Sequence, residues 1–188
     1  DGYKTIAYEI AGRLPAVPDV VIVPVAYGDG LAGIGRGFAD LAALGLIERV
    51  PRLIAAEPFG PLAEALAAGA DTAGPVPVRP SVAFSTASPF GTQQSLAALR
   101  ASAGGAVATP DDEEFMTTQL QLAREAGLYL EAAGVTAAVA LAKARSSGLI
   151  AADDSVVIVG TSTGLKDVGA TAARLPEVPA IEPSVAAL

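Results

Sequence analysis

Two turns of this sequence carry groups that could bind a small ligand. Each follows an apolar, β-branched run, at residues 20–25 and 155–159. The first turn is rich in glycine and the second in hydroxyls, and they read Ala26-Tyr27-Gly28-Asp29-Gly30-Leu31 and Thr161-Ser162-Thr163-Gly164-Leu165-Lys166-Asp167. Backbone N–H groups before a helix bind anions such as phosphate, and hydroxyls exchange hydrogen bonds with ligand atoms. Because parallel strands present their carboxyl ends at one edge of a sheet, the two turns predict a single pocket.

The elements around these turns alternate between strand and helix. Short apolar runs predict four strands, at about 19–25, 52–56, 105–108 and 155–160. Amphipathic or Ala-rich stretches predict helices at about 2–11, 30–44, 60–68, 92–102, 109–125 and 134–147. Thr109 is expected to be the N-cap of the fifth helix, and residues 168–188 are expected to be a surface tail. The pattern is typical of an α/β fold, a partial parallel sheet with flanking helices.

Composition excludes several classes of chemistry. The 188 residues contain no cysteine and no histidine, so disulfides, zinc-thiolate sites and Ser-His or Cys-His catalysis are ruled out. A net charge of -8 argues against nucleic acid or an anionic membrane as partner. No apolar stretch reaches 18 residues, and a cytoplasmic protein of one domain is expected.

The glycine turn by itself leaves an alternative open. Gly28, Gly30 and Gly33 match the G-x-G-x-x-G dinucleotide fingerprint between a strand and a helix, and Glu57 ends the next strand at about the required distance. This pattern favours a Rossmann-type NAD or FAD oxidoreductase, in which Glu57 would reach a ribose hydroxyl.

Four segments together resemble the threonine synthase-like branch of the fold-type II enzymes that depend on pyridoxal phosphate (PLP). They are Pro24 to Leu31, the Glu57-Pro58 pair, the Gly127 to Gly134 segment, and the Thr161 to Asp167 turn with its Gly-Leu-Lys-Asp end. The resemblance covers nearly all of this chain but only the C-terminal half of such an enzyme. It implies that residues 1–188 belong to the large domain that binds the cofactor phosphate.

The resemblance also implies roles for individual residues. The backbone from Ala26 through Tyr27, Gly28, Asp29 and Gly30 to Leu31 would hold the phosphate of PLP. Thr161 would meet the pyridine nitrogen, with Ser162 beside it in place of the usual glycine, and Glu131 would lie near the ring. Ser85 and Thr86 would be close to the substrate, and Glu57 would have a structural role.

The lysine that such enzymes join to PLP has no counterpart here. Lys4, Lys143 and Lys166 all lack the Ser-x-Lys context of that residue. Asp1 is therefore expected to be an internal residue, with the lysine in a missing N-terminal half that is this chain's first partner. The resemblance implies a homodimer that performs elimination or replacement on an amino-acid substrate, and a fragment that is inactive alone. A non-enzymatic binding or assembly module is a third hypothesis.

Overall fold

A computed structural model describes residues 1–181 and 183 of the chain. Its four strands are β1 (Val20–Pro24), β2 (Arg52–Glu57), β3 (Gly105–Ala108) and β4 (Val156–Ile158). The helices of the described residues are α1 (Lys4–Arg13), α2 (Asp29–Ala43), α3 (Pro61–Ala67), α4 (Gln93–Ala101), α5 (Asp112–Ala126), α6 (Ala132–Ser146) and α7 (Val168–Ala172). Two short 3-10 turns span Phe84–Thr86 and Gly164–Lys166.

The strands form one sheet in the order β3-β2-β1-β4, and every neighbouring pair is parallel. The central strand β1 pairs on both sides, so that Ile22 lies opposite Ile54 of β2 and Ile158 of β4. The predicted α/β fold with a partial parallel sheet is therefore confirmed. This order brings the ends of β1 and β4, and hence the two turns, next to each other at the carboxyl edge.

Side chains of β1 alternate between two apolar layers, as the pleat of a strand requires. Val21 and Val23 pack with α1, α2, α3 and α4 on one face, where Phe38 is fully buried. Val20 and Ile22 pack on the other face against α6. Both faces are covered, which explains why β1 is a continuous apolar run rather than an alternating one.

Small side chains let α6 approach the sheet closely. Its sheet-facing residues Ala137, Ala140 and Ala144 are fully buried. The opposite side of α6 packs on α5 through Phe115 and Met116 of that helix. The helix α6 thus lies between the sheet and α5, and its first turn packs against the hydroxyl turn.

One detail of the sequence prediction was wrong. The N-cap of α5 is Asp111, whose carboxylate accepts the Glu113 N–H at 2.9 Å. Thr109 lies at the end of β3 instead, where its N–H and hydroxyl both donate to the Glu57 carbonyl because the chain is still paired with β2. The segment after residue 168 begins with the helix α7, in which Thr171 is buried, and residues 182 and 184–188 lie outside the described part.

A helix that crosses a membrane must be long and largely apolar, and this can be checked for the helices of the described residues. None of them combines the length and the apolar character that a membrane crossing needs.

Candidate functional site

The glycine turn connects β1 to α2 through a backbone conformation that favours glycine. Gly28 has φ +100°, and a Cβ on it would lie 1.7 Å from the Ser95 hydroxyl oxygen. The Tyr27 carbonyl points toward α4 and accepts the Ser95 hydroxyl at 3.0 Å and the Thr92 N–H at 3.1 Å. The Tyr27 ring packs on Phe90, with 5.3 Å between centroids. The turn is therefore fixed from the α4 side.

The other side of this turn presents free donors. None of the six backbone N–H groups from Ala26 to Leu31 donates a hydrogen bond to another described residue. The N–H and C=O of one peptide unit point in opposite directions, so the Gly28 N–H points away from α4. These donors stand at the start of a 15-residue helix, whose dipole also favours an anion. The arrangement can hold a phosphate group without a cation.

The hydroxyl turn is built against two neighbouring segments. The Tyr129 carbonyl accepts the Gly164 N–H at 2.9 Å, and Leu130 forms an antiparallel bridge with Thr163. The first turn of α6 comes so close that a Cβ on Gly134 would lie 1.9 Å from the Thr161 carbonyl oxygen. A larger residue at position 134 would push Thr161 away from its place.

A pocket of about 260 Å³ lies between the two turns. Eight of the site residues predicted from the sequence line it, namely Ala26, Tyr27, Gly28, Asp29, Gly30, Leu31, Thr86 and Thr161. Asp29 is exposed and is the only charged residue among those that line it. The glycine turn, with its free N–H groups, and Thr161 thus line one cavity, with a rim that carries a negative charge.

The three other predicted residues, Ser85, Glu131 and Ser162, do not line this pocket. They form a neighbouring group with Lys166, which we call the Lys166 cluster. The Lys166 ammonium lies 2.9 Å from a Glu131 carboxylate oxygen and 3.0 Å from the Ser85 hydroxyl oxygen. The Ser162 hydroxyl donates to the same Glu131 oxygen at 3.1 Å. The cluster therefore joins the 3-10 turn at 84–86, the start of α6 and the hydroxyl turn.

Glu131 is ionised in this cluster although its residue is only 4% exposed. Burial raises the pKa of its carboxyl group, but hydrogen bonds from Lys166, Ser85 and Ser162 and the charge of Lys166 outweigh burial. The net result is a pKa below the ordinary value for glutamate. The carboxylate is a fixed negative charge that Lys166 balances.

Glu57 has the opposite electrostatic environment. It is 1% exposed, and its carboxylate oxygens accept the N–H groups of Leu62 and Ala63 at the start of α3. Burial raises the pKa of Glu57 to about 7, and the backbone hydrogen bonds lower it by less. A carboxylate that is enclosed in this way is not placed to meet a ribose hydroxyl, so the structure does not favour the dinucleotide alternative.

The main residue that sequence reasoning missed is Lys166. The sequence places it in the Gly-Leu-Lys-Asp end of the hydroxyl turn and outside a Ser-x-Lys context, and neither observation assigns it a role at the site. The available signal was a cation five residues after Thr161 in a turn of hydroxyls and glycine. Such a cation needs an anionic partner, and Glu131 is a predicted site residue that could supply a carboxylate.

Comparison with known proteins agrees with this geometry. A family profile described as "Pyridoxal-phosphate dependent enzyme" matches residues 1–162. Threonine synthase of Methanocaldococcus jannaschii is 35% identical over 184 residues, which cover 95% of this chain and 45% of that protein. Threonine synthase of Methanosarcina acetivorans is 33% identical over 172 residues, 89% of this chain and 42% of that protein. The chain therefore spans less than half the length of these relatives.

Solved structures show the same fold. The processed form of threonine deaminase isoform 2 from Solanum lycopersicum matches with a TM-score of 0.69 at 20% identity, over 91% of this chain and 49% of that one. Maize serine racemase matches with a TM-score of 0.66 at 21% identity, over 92% and 51% of the two chains. The family profile matches most of the length of this chain, and the pocket between its two turns agrees with that match. This chain therefore belongs to the family of pyridoxal-phosphate dependent enzymes.

Proposed function

We propose that this chain is the part of a PLP-dependent synthase or lyase that binds the cofactor phosphate, within a longer polypeptide related to threonine synthase. The observation that carries the proposal is the row of free N–H groups from Ala26 to Leu31, which opens on the same pocket as Thr161. Anion donors at one place and a hydroxyl at another match the two polar ends of PLP. Residues 1–188 would form one portion of the large domain.

Each residue would then have a separate task. The glycine turn would anchor the phosphate, and the Thr161 hydroxyl would hydrogen-bond to the pyridine nitrogen without protonating it. Bound PLP supplies an electron sink for reactions at the α-carbon of an amino acid. A hydroxyl partner makes that sink weaker than a carboxylate partner does, which suits elimination and replacement. Ser85 and Thr86 would lie on the substrate side, and the lysine that bonds to PLP would come from the rest of the polypeptide.

We further propose that the whole protein is a cytoplasmic homodimer. Large apolar side chains at the ends of helices and in the tail are exposed, among them Leu44 at 73% and Val178 at 92%. Surfaces of this kind are usually covered in an assembly. Light scattering of the full-length protein tests the dimer, which a monomeric mass at micromolar concentration would refute. Cell fractionation tests the location.

The central experiment titrates the full-length protein with PLP and records absorbance and stoichiometry. We expect one PLP per chain, and we expect NAD and FAD not to compete with it. The variant Asp29→Asn sharpens the test, because it removes the negative charge at the rim of the pocket. We expect it to bind PLP about 2-fold to 5-fold more tightly at low salt.

The control for this variant is Asp71→Asn, since Asp71 is an exposed carboxylate far along the chain from both turns. It should leave PLP affinity unchanged. No PLP absorbance in the full-length protein, or displacement of PLP by a dinucleotide, would refute the proposal.

A further inference from the structure

The Lys166 cluster joins segments that are distant in sequence but meet beside the pocket. Lys166 contacts Ser85, which is 81 residues earlier, and Glu131, which starts α6. The same ammonium also lies 5.7 Å from the centre of the Phe84 ring, within the range of a cation–π contact. One side chain thus connects the 3-10 turn at 84–86, the helix α6 and the hydroxyl turn.

Two residues of the Lys166 cluster are adjacent in sequence to residues that line the pocket. Thr86 follows Ser85, and Thr161 precedes Ser162, and both threonines line the cavity. Ser162 has φ +60°, a left-handed conformation that residues other than glycine seldom adopt. Its hydroxyl bond to Glu131 stabilises this conformation. The orientation of Thr161 therefore depends on contacts made outside the pocket.

Lys166 is the only cation that balances Glu131 among the described residues. The Glu131 carboxylate is nearly buried, and the groups that face it are the Lys166 ammonium and the hydroxyls of Ser85 and Ser162. Removing one partner of such a pair leaves an uncompensated charge in a place of low polarity. The hydroxyl turn would then have to open so that water could reach Glu131.

We propose that Lys166 is a positioning residue: through Glu131 and Ser85 it holds Thr161 and Thr86 in their places on the pocket. The proposal rests on the proposed function, because it assigns the Thr161 hydroxyl to the cofactor ring. It gives Glu131 an indirect role, as the anchor of the turn. The ammonium of Lys166 is engaged by two oxygen atoms and a ring, so it does not serve as the amine that bonds to PLP.

The experiment uses the full-length protein loaded with PLP and compares Lys166→Met with Lys143→Met. Lys143 is a matched control, since its ammonium pairs with Glu114 at 2.6 Å between α6 and α5, away from the pocket. For Lys166→Met we expect kcat to fall about tenfold with KM within about twofold, and the absorbance or emission maximum of bound PLP to shift. Lys143→Met should keep the kcat and the spectrum of the wild type.

Three further measurements separate positioning from general stability. The melting temperature should fall further for Lys166→Met than for Lys143→Met, because Glu131 is nearly buried and Glu114 is partly exposed to water. Amide exchange at residues 161–164 should become faster in Lys166→Met and not in Lys143→Met. Glu131→Gln and the double variant Lys166→Met/Glu131→Gln should lose about as much kcat as Lys166→Met, since residues that act as a unit are not additive.

Each result supports or refutes the proposal. Lys166→Met and Lys143→Met with the same kcat and the same PLP spectrum would overturn it, as would unchanged exchange at residues 161–164. Losses of kcat that multiply in the double variant would show that Lys166 does not act through Glu131. Failure of the wild-type protein to bind PLP would refute the proposed function, and amide exchange in the two variants would still decide whether Lys166 holds the turn.

Discussion

Two regions beside the pocket, one at the ends of β1 and β2 and the other at the end of β4, are held in place by different kinds of contact. At the ends of β1 and β2, backbone groups make the contacts: free N–H groups line the glycine turn, and N–H groups of α3 surround Glu57. At the end of β4, side chains make them, with Lys166 at the centre. Backbone donors are set by the path of the chain, whereas a side-chain cluster can be removed by one substitution.

The two buried glutamates, Glu57 and Glu131, illustrate this difference. Both are nearly inaccessible, yet the pKa of Glu57 is raised to about 7 and the pKa of Glu131 is lowered. Glu57 has only peptide dipoles beside it, which do not offset the loss of water. Glu131 has a full positive charge at 2.9 Å. The hydrogen bonds from Lys166, Ser85 and Ser162, together with the charge of Lys166, therefore keep Glu131 ionised, whereas the two backbone donors at Glu57 do not outweigh burial.

The largest effect is expected where the backbone side has no freedom to adjust. Gly28→Ala places a Cβ on the Ser95 hydroxyl and in an unfavourable φ, so we expect a loss of roughly 3 kcal/mol or more in unfolding free energy. PLP should also dissociate from the full-length protein. Chemical denaturation and dialysis measure the two losses.

Gly45→Ala is the matched control for this change. Gly45 also has a positive φ, +69°, but no atom lies within 4 Å of its added Cβ. It should cost roughly 1 kcal/mol and leave PLP bound. Equal losses for the two variants would mean that backbone strain alone, and not the packing against α4, fixes the glycine turn.

The next effect depends on pH and tests the environment of Glu57. Its pKa is about 7 in the folded protein, above the ordinary value of 4.5, so the folded state keeps a proton that the unfolded chain releases. Stability must therefore fall as pH rises between about 4.5 and 7, by about 3 kcal/mol in total. Glu57→Gln is neutral at every pH and should avoid this loss.

Urea denaturation at pH 5 and pH 8 measures the effect. The Gln variant should be similar to the wild type at pH 5 and more stable at pH 8. Glu64→Gln, which removes an exposed carboxylate from the same helix, should follow the wild-type pH dependence. A constant difference between Glu57→Gln and the wild type across this range would show that Glu57 is already ionised when folded.

The sequence predicted the backbone side better than the side-chain side. The run Val20 to Val25 and the glycines after it are local signals, and the strand, the turn and the helix α2 follow from them directly. The structural role expected for Glu57 agrees with its contacts at the start of α3. These features depend on residues that are close in sequence.

The Lys166 cluster could not be predicted in the same way. Its members Ser85, Glu131 and Lys166 are brought together by the paths of three loops, and no local pattern specifies those paths. The N-cap of α5 was wrong for a related reason, since Thr109 has a partner on β2 that a local capping rule ignores. Long-range pairing overrides a local preference in both cases.

A third test asks whether the two turns have separate roles. In the full-length protein, Thr161→Ala should retain PLP with affinity within about threefold, because the glycine turn makes the anchoring contacts. Its kcat should fall about tenfold, which corresponds to about 1.4 kcal/mol of barrier. Thr161→Ser keeps the hydroxyl and should restore most of the rate. Release of PLP from Thr161→Ala, as expected for Gly28→Ala, would abolish this division between the turns.

The smallest effect concerns Ser162, which holds a conformation that glycine adopts more easily. Ser162→Ala keeps the unfavourable φ of +60° and loses the bond to Glu131, so we expect it to lower the unfolding free energy by about 1–2 kcal/mol. Ser162→Gly loses the same bond but relaxes the backbone, and its cost should be below about 1 kcal/mol. Urea denaturation at neutral pH resolves the two. If glycine proved as damaging as alanine, the hydroxyl bond alone would account for the residue, and the strain at this turn would contribute nothing measurable. If glycine is tolerated, the two turns keep a positive φ by different means. A side-chain hydrogen bond stabilises it at Ser162, and the absence of a side chain permits it at Gly28.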